Sequence, residues 1–518
     1  MESPLVLVPV AVPAVAACLY AVLGWNRVTA WLGTLSAAVL LACAVALSTI
    51  GSTASAAAGS TAGSTAGSTA GSTAGSAALP TAGTREALGG LLFSDALSAF
   101  MLIVIGVVAL LAMAASPAYL AAELAAGHTG PRAMRRYGVL TQAFVAAMAL
   151  AVLASGLGLL WVAIEATTIV TAFLVGHRRT RAATEAAWKY VVICSVGIAL
   201  ALLGIVMVHY AGTHAGVTSL DWAPLAEGAS RLDPGVMRVA VMLLVLGFGT
   251  KAGLAPMHAW LPDAHSQAPA PVSALMSGVL LSVAFYAVLR VKVIADVALG
   301  AGFVRTLLVI VALASLTVAA LLLLGQRDYK RLLAYSSIEH MGLLALGAAI
   351  GTSLALVAVL LHILGHGLGK SVLFLSAGRL HQTYGSSLIG AVRGLAGKAP
   401  LLAGTFALGL LALLGMPPFS LFASELGLAR AGFAAGLGWP VAAALVLMLV
   451  IVAAVTRHTR NMFLGDGPDG GPGGVVTLPC SLAVPLVAGL AACAVLGVTL
   501  GPLHPLLQAA AVIAGATS

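Results

Sequence analysis

Apolar runs of about 20 residues recur from residue 4 to residue 499, rich in Leu, Ala and Val and without strict alternation. A run of that length crosses a hydrocarbon core roughly 30 Å thick as a helix. Lipid offers no hydrogen bonds, so each span must satisfy its own backbone, which leaves only helices or a closed barrel. Without a two-residue period, the pattern selects helices. It predicts an all-α, polytopic membrane protein of about 14 spans, near 4–23, 28–50, 92–115, 139–156, 158–176, 186–208, 236–260, 270–294, 304–325, 332–351, 353–379, 400–430, 439–457 and 477–499.

Two spans are interrupted. GTKAGLAPMHAWLPDAHSQAPAP carries Pro256 and Pro262 in the region 236–270, and LLGMPPFSLFASELGLAR carries Gly415, Pro417 and Pro418 in 400–430. Proline removes a backbone donor and clashes with the preceding turn, so each segment is expected to be a discontinuous helix. Paired broken helices in two halves of a transporter point to repeats with ion sites near the midplane; ordinary proline kinks are the plainer alternative. The chain then divides as follows: two helices (1–50), a low-complexity outward loop (51–90), and a third helix with a basic cytoplasmic loop (91–138). Two halves with one break each follow (139–300 and 301–465), then a Gly-rich loop and the last span (466–518). GSTA repeats at 51–78 read as a flexible surface linker, and GDGPDGGPGG at 465–474 as a similar loop.

Composition agrees with the pattern. Of the 518 residues 61% are hydrophobic and 8% charged, and mean hydropathy is +1.08. The net charge of +9 matters less than where it sits. Sixteen of the 25 Lys and Arg fall in one set of alternating loops and helix ends (Arg27, Arg132, Arg135, Arg136, Arg178, Arg179, Arg181, Lys189, Arg327, Lys330, Arg331, Arg379, Arg393, Lys398, Arg457 and Arg460). Seven fall in the other: Arg85, Arg231, Arg238, Arg290, Lys292, Arg305 and Arg430. The richer face is expected to be cytoplasmic, with both termini outside a bacterial-type inner membrane. MESPLVLVPV lacks a basic leader, so the first run is expected to be a retained helix. Cys18, Cys43, Cys194, Cys480 and Cys493 show no CxxC spacing and read as small core residues rather than disulfides or iron–sulfur ligands.

A charge at the bilayer centre costs at least about 2.5–3.5 kcal/mol, so intramembrane ionisable residues are functional candidates. Glu165 lies mid-span in WVAIEATTIVTAFLV; Lys251 precedes Gly253 at the first break; Glu425 follows the second. His362, His366 and Lys370 repeat every four residues, within about 80° of one helix face. Imidazole takes a proton on one nitrogen and releases it from the other, so the line suits proton hopping. HxxxH also suits a metal, but no carboxylate stands beside it and the third group is an ammonium, so none is expected; structural polar contacts are the plain alternative. Glu165 and Lys251 read as an ion pair across neighbouring helices. Desolvation disfavours a lone buried ammonium and a nearby carboxylate restores it, so separating the pair would release a proton. A static bridge setting helix register is the alternative. His258 and His265 flank Trp260 and Asp263 at the first break, where they pass protons or cap helix ends. Glu339 and His340 follow the QRDYKR loop and form either a cytoplasmic entry or an interfacial pair.

At these residues the chain resembles the antiporter-like membrane subunits shared by respiratory complex I, Mrp-type cation/proton antiporters and group 4 membrane-bound hydrogenases. WVAIEATTIVTAFLV, GTKAGLAPMHAWLPDAHSQAPAPVSALMSGVLL, RDYKRLLAYSSIEHMG and LHILGHGLGKSVLFLSAG carry the resemblance, which spans about 90–465. It implies a 14-helix core with two five-helix inverted repeats. It also implies that Glu165 and Lys251 match the coupling pair, Glu425 the ionisable residue of the second broken helix, and His362, His366 and Lys370 the central helix. AYSSIEHMG and SGVLLSVAFYAVLR look most like component F of hydrogenase-4 and formate hydrogenlyase-type complexes. Complex I relatives usually carry lysine in the eighth span where this chain has Ser282, so a water chain or His265 must bridge that gap, or else the first half-channel is weak. No long lateral helix is expected at the end.

The expected function is proton translocation through a Glu/Lys/His relay, in a membrane subunit of a hydrogenase- or NADH:quinone oxidoreductase-like complex. No Cys cluster, Rossmann fingerprint or haem pattern is present, so this chain is expected to hold no cofactor. Metal, flavin or iron–sulfur centres then belong to membrane and cytoplasmic partner subunits. An Mrp-type Na⁺(K⁺)/H⁺ antiporter and a non-transporting scaffold are the alternatives. A nucleic-acid partner is not expected.

Overall fold

The computed structural model describes residues 3–62, 84–464 and 477–517. Glu2, residues 63–78 of the GSTA tract and the loop 465–474 lie outside them. Seventeen helices set the architecture: α1 Val8–Leu23, α2 Leu32–Ala62, α3 Ala96–Ala125, α4 Pro131–Leu153, α5 Leu157–Val175, α6 Arg181–His214, α7 Pro234–Ala252, α8 Trp260–Gln267, α9 Ala270–Leu299, α10 Ala301–Leu324, α11 Tyr329–Ile350, α12 Ser353–Tyr384, α13 Pro400–Leu413, α14 Ser420–Ala434, α15 Gly438–Leu464, α16 Cys480–Val498 and α17 Leu503–Ile513. Among the described residues, twelve helices are long and apolar enough to cross a membrane. The short α1 and the broken pair α13–α14 occupy the two other expected spans.

Local chemistry sets the helix starts. Asp95, Thr180, Asp233, Asp328 and Thr352 each accept a hydrogen bond from a first-turn N–H, and α4, α7 and α13 open on proline, which has no N–H to leave unpaired. α9, α11 and α12 are buried almost throughout and form the centre, whereas α6, α15 and α16 show apolar faces outward. α9 contains a π turn at Met276–Leu280.

The two breaks are where the fold departs from plain spans. Pro13, Pro117 and Pro485 sit inside continuous helices, so proline alone does not break this chain. At the first break α7 ends on Gly253 with φ +77°, and at the second the chain turns at Gly415 with φ +61°; only glycine takes that left-handed conformation without cost. Neither loop leaves its backbone bare. Trp260 Nε1 donates to Thr250 O (2.9 Å), the Ala255 amide donates to Ser315 Oγ (2.9 Å), and Met416 N donates to Leu411 O (3.0 Å). Interior groups thus replace the water that a lipid-embedded break lacks.

Several expectations are corrected. Pro262 lies in the first turn of α8, where proline fits, so the first break is Gly253–Ala259. Arg132, Arg135 and Arg136 belong to the first two turns of α4, not to a loop. α2 continues to Ala62, so residues 51–62 of the linker tract are helical. Arg85–Ala87 pairs antiparallel with Leu92–Ser94, Arg85 opposite Ser94, giving the outward loop a small hairpin. α17 is a further helix after the last expected span. Cys18 and Cys480 are exposed, unlike Cys43, Cys194 and Cys493, and all five are free.

Arg290 and Lys292, expected at the end of the span 270–294, are buried within α9, which runs on to Leu299. Lys292 pairs with Asp296. Arg290 meets Asp95 at 2.7 Å and donates to the Tyr286 hydroxyl (3.0 Å) and Ser98 Oγ (3.1 Å); Tyr286 in turn donates to Val152 O (3.0 Å). This knot ties α3, α4 and α9 together. Removing one member of a buried pair leaves an uncompensated charge, so Asp95→Ala is expected to cost about 3–5 kcal/mol and to lower the unfolding midpoint in detergent. Asp95→Asn, which can still cap α3, is expected to cost less. An unchanged midpoint in the Ala variant would show that the knot does not hold the fold.

Candidate functional site

The first group of ionisable residues lies where α5, α6 and α7 meet. A Cβ on Gly247 would stand 2.6 Å from Gly197 O, so the α6 and α7 backbones touch, as small residues permit. That contact sets Tyr190 of α6 against Lys251 in the last turn of α7, and both are fully buried. Lys251 Nζ donates to the Tyr190 hydroxyl and lies 4.6 Å from the ring centroid. Tyr190 is also hydrogen-bonded to Thr171 Oγ1, and Thr171 donates to Thr167 O at 2.6 Å. A hydroxyl has one proton to give, so the directions follow: Lys251 to Tyr190, Tyr190 to Thr171, Thr171 to the α5 backbone.

The expected Glu165–Lys251 ion pair is not formed. The lysine's hydrogen bond goes to Tyr190, and Glu165 Oε2 is buried without a hydrogen-bond partner. Glu165 still acts through space on Lys251, Tyr190 and Cys194. A phenol therefore stands where the sequence suggested a carboxylate.

The second group joins α11, α12 and α14. His362, His366 and Lys370 share the buried face of α12 as expected. Glu339 and His340 are not at an entry. They lie 10 and 11 residues beyond the first residue of α11, about 15 Å along its axis, and both are buried. His340 Nδ1 and His362 Nε2 are 3.0 Å apart, and the His340 and His366 rings are 5.0 Å apart. Lys370 Nζ donates to Leu333 O and Ser336 Oγ, each at 2.6 Å, one turn and more before Glu339, which it attracts through space.

Ser424 fixes the tautomers in this group. Its Oγ donates to Leu421 O (2.8 Å), so it can only accept from His362 Nδ1 at 2.9 Å. His362 is then the Nδ1–H form, with its Nε2 lone pair turned to His340. The proton in the His340–His362 bond therefore sits on His340 Nδ1, leaving His340 Nε2 as an acceptor without a protein partner. His340, His362 and Glu425 each place one possible ligand atom within 4.8 Å of the others. That set is chemically able to hold a borderline cation such as zinc as well as to share protons. Glu425 is half-buried and folds back on the second break, where a Cβ on Gly415 would fall 2.0 Å from Glu425 Oε2.

His265 stands between the groups. It is fully buried, stacked with Phe374 of α12 (5.2 Å) and Trp260 (6.4 Å), and within electrostatic range of Lys370 and His366. Neither His265 nor His366 has a protein partner on either ring nitrogen, and Ser282 Oγ is likewise unpartnered. Ser277, in the π turn of α9, bonds Ser337 of α11 at 2.8 Å. His258 is half-buried at the break itself; its carbonyl accepts from Leu261 N (3.0 Å), and its ring Nδ1 is buried without a hydrogen-bond partner.

Tyr190, Thr171, Ser336 and Ser424 were not singled out from the sequence. For Thr171, Ser336 and Ser424 the signal was present as hydroxyls in the same short segments as the charges, in ATTIVTAF, AYSSIEH and FASEL; Tyr190, on a separate helix, had no such signal. Outside the row, Glu123 accepts both of its 2.9 Å hydrogen bonds from Arg178, and Asp263 pairs with Lys189 (3.1 Å) and Arg331 (3.0 Å). The expected basic face is thus held together by carboxylates from α3 and α8.

Residues 154–451 match the family described as NADH:quinone oxidoreductase/Mrp antiporter, TM. A hydrogenase-4 component F homolog from Methylacidiphilum infernorum is 40% identical over 325 residues, which are 62% of this chain and 68% of that protein. NADH-quinone oxidoreductase subunit N from Desulforudis audaxviator is 34% identical over 345 residues, 63% of this chain and 67% of that one. Among solved structures, a chain of the archaeal membrane-bound sulfane sulfur reductase superimposes with TM-score 0.83 at 24% identity, covering 99% of this chain and 98% of its own.

Gly415 provides a test of how Glu425 is placed. Gly415→Ala pushes the carboxylate aside and also pays the left-handed backbone cost of about 1–2 kcal/mol. Made together with Glu425→Ala, it should cost only the backbone part. A double-mutant cycle on the unfolding midpoint in detergent is expected to show that coupling; strictly additive costs would mean the carboxylate does not rest on Gly415.

Proposed function

Because this chain belongs to the NADH:quinone oxidoreductase/Mrp antiporter membrane family, we propose that it is the proton-translocating membrane subunit of a multi-subunit redox complex. The observation that carries the reading is the buried row itself: Lys251 with Tyr190, His265, then Lys370, His366, His340 and His362, ending at Glu425. Ionisable side chains at this depth are expensive and need a task. Neutral imidazoles in series, one of them with its tautomer set by Ser424, suit proton transfer better than they suit a static scaffold. Glu165 sets the field around Lys251 and Tyr190, so the protonation of Lys251 responds to it without direct contact.

Electron transfer belongs in this reading to partner subunits, which carry the metal, flavin or iron–sulfur centres. The relatives named for hydrogenase-4 and NADH-quinone oxidoreductase support this reading. The basic face lies toward the cytoplasm of a bacterial inner membrane, with both termini outside.

The test is redox-driven proton uptake by the assembled complex in sealed vesicles. Lys251→Ala and His366→Ala should each slow it by about a hundredfold, the lower end for loss of a positioned proton-transfer group, while the complex still assembles. Intact pumping in the Lys251 variant would reject the mechanism. Replacing Na⁺ by choline should leave the flux unchanged; a flux that needs Na⁺ would favour the antiporter reading.

A further inference from the structure

Outside the buried row, and independent of it, a recess of about 780 Å³ opens on the basic face, between the α3–α4 turn and the end of α5. We infer that this recess binds the phosphodiester headgroup of an anionic phospholipid. Its walls carry Arg132, Arg136, Arg178, Arg179, His128 and His177, and no carboxylate lines it. Arg178 is already committed to Glu123. Arg132, Arg136 and Arg179 have no ion-pair partner among the described residues. Gly130 starts α4 here without a side-chain cap, so first-turn N–H groups of a 23-residue helix also face an anion.

The buried wall points to a ligand independently. His177 is only 7% exposed, yet its Nδ1 has no hydrogen-bond partner, and neither has the buried Nε of Arg136. Buried polar atoms are normally paired, so this wall keeps unused hydrogen-bonding capacity just behind the recess, beside the Arg136 guanidinium that donates to His177 O (3.3 Å). Guanidinium groups suit such an oxygen pair in fork geometry.

A lipid, rather than free phosphate, follows from the helix that ends at the recess. α5 presents Val162, Ile169 and Phe173 outward, each more than half exposed. Successive helical residues turn by about 100°, which puts these three within roughly 40° of one another. They form an apolar track leading to His177, along which acyl chains can lie while the headgroup fills the recess. Basic pockets between spans on the cytoplasmic side are suited to lipid headgroups.

The experiment delipidates the full chain in detergent and counts lipids bound on adding phosphatidylglycerol or phosphatidylcholine, by native mass spectrometry. The wild type should retain phosphatidylglycerol in preference, and Arg132→Gln with Arg179→Gln should weaken retention by roughly tenfold or more. The double Lys replacement at the same positions should retain it. Ala133→Glu adds a carboxylate to the rim at a first-turn position that tolerates it; it should reproduce the loss even if the double Gln variant folds poorly. Equal retention of the two lipids, or undiminished phosphatidylglycerol binding in the Glu variant, would overturn the proposal. Displacement of phosphatidylglycerol by millimolar inorganic phosphate would overturn it in favour of a free-phosphate site.

Discussion

No water is available in the hydrocarbon core to hold a charge or a bare backbone group, and this constraint organises the protein. Each interruption of a helix, and each ionisable side chain, has to find its partner inside the fold. The two breaks show how closely these needs are joined. The first frees α7 carbonyls, and Trp260 answers one of them; the same turn carries Lys251. The second frees the α13 end, and Gly415 leaves room for the Glu425 carboxylate. Breaking the helix and seating the charge are one structural act in each case.

The second need is orientation. A histidine in lipid can be neutral in two tautomers, and a row of them conducts only if they agree. Ser424 settles the matter for His362 through its own bond to Leu421 O, and His340 follows. The lysines are treated in the same manner. Lys370 is held by Leu333 O and Ser336, and Lys251 by a phenol whose proton is already turned toward Thr171. Hydroxyls from neighbouring helices, not carboxylates, therefore define the ground state of the row.

This explains what was legible in the sequence. The spans, both breaks and the stacked His362–His366–Lys370 face could be read because they depend on local pattern: apolar length, glycine with proline, and a four-residue repeat. Which groups touch depends on tertiary contacts that no local pattern carries. Tyr190 replaces Glu165 beside Lys251 because α6 and α7 meet at Gly197 and Gly247, a contact invisible along the chain. Glu339 and His340 read as an entry because they follow a basic loop, yet α11 begins at Tyr329 and carries them to mid-helix. Arg290 read only as a cation at a helix end because its partner, Asp95, lies almost 200 residues away.

The gap at Ser282 takes a different form in three dimensions. Its hydroxyl is buried and unpartnered just beyond the π turn of α9, while His265 projects from α8 against Phe374 of α12. In the proposed relay it is therefore His265, beside the first break, that links the halves rather than a group on α9. Both ends of the row then share one feature. Thr171 donates into the α5 backbone and Ser424 into the α14 backbone, so each hydrogen-bonded chain stops at a helix carbonyl. A proton moving along either must first turn that hydroxyl away from its carbonyl. Rotation of a single Thr or Ser leaves a packed core undisturbed, so under the proposed function the row opens or closes at these hydroxyls while the buried α9–α11–α12 centre stays in place.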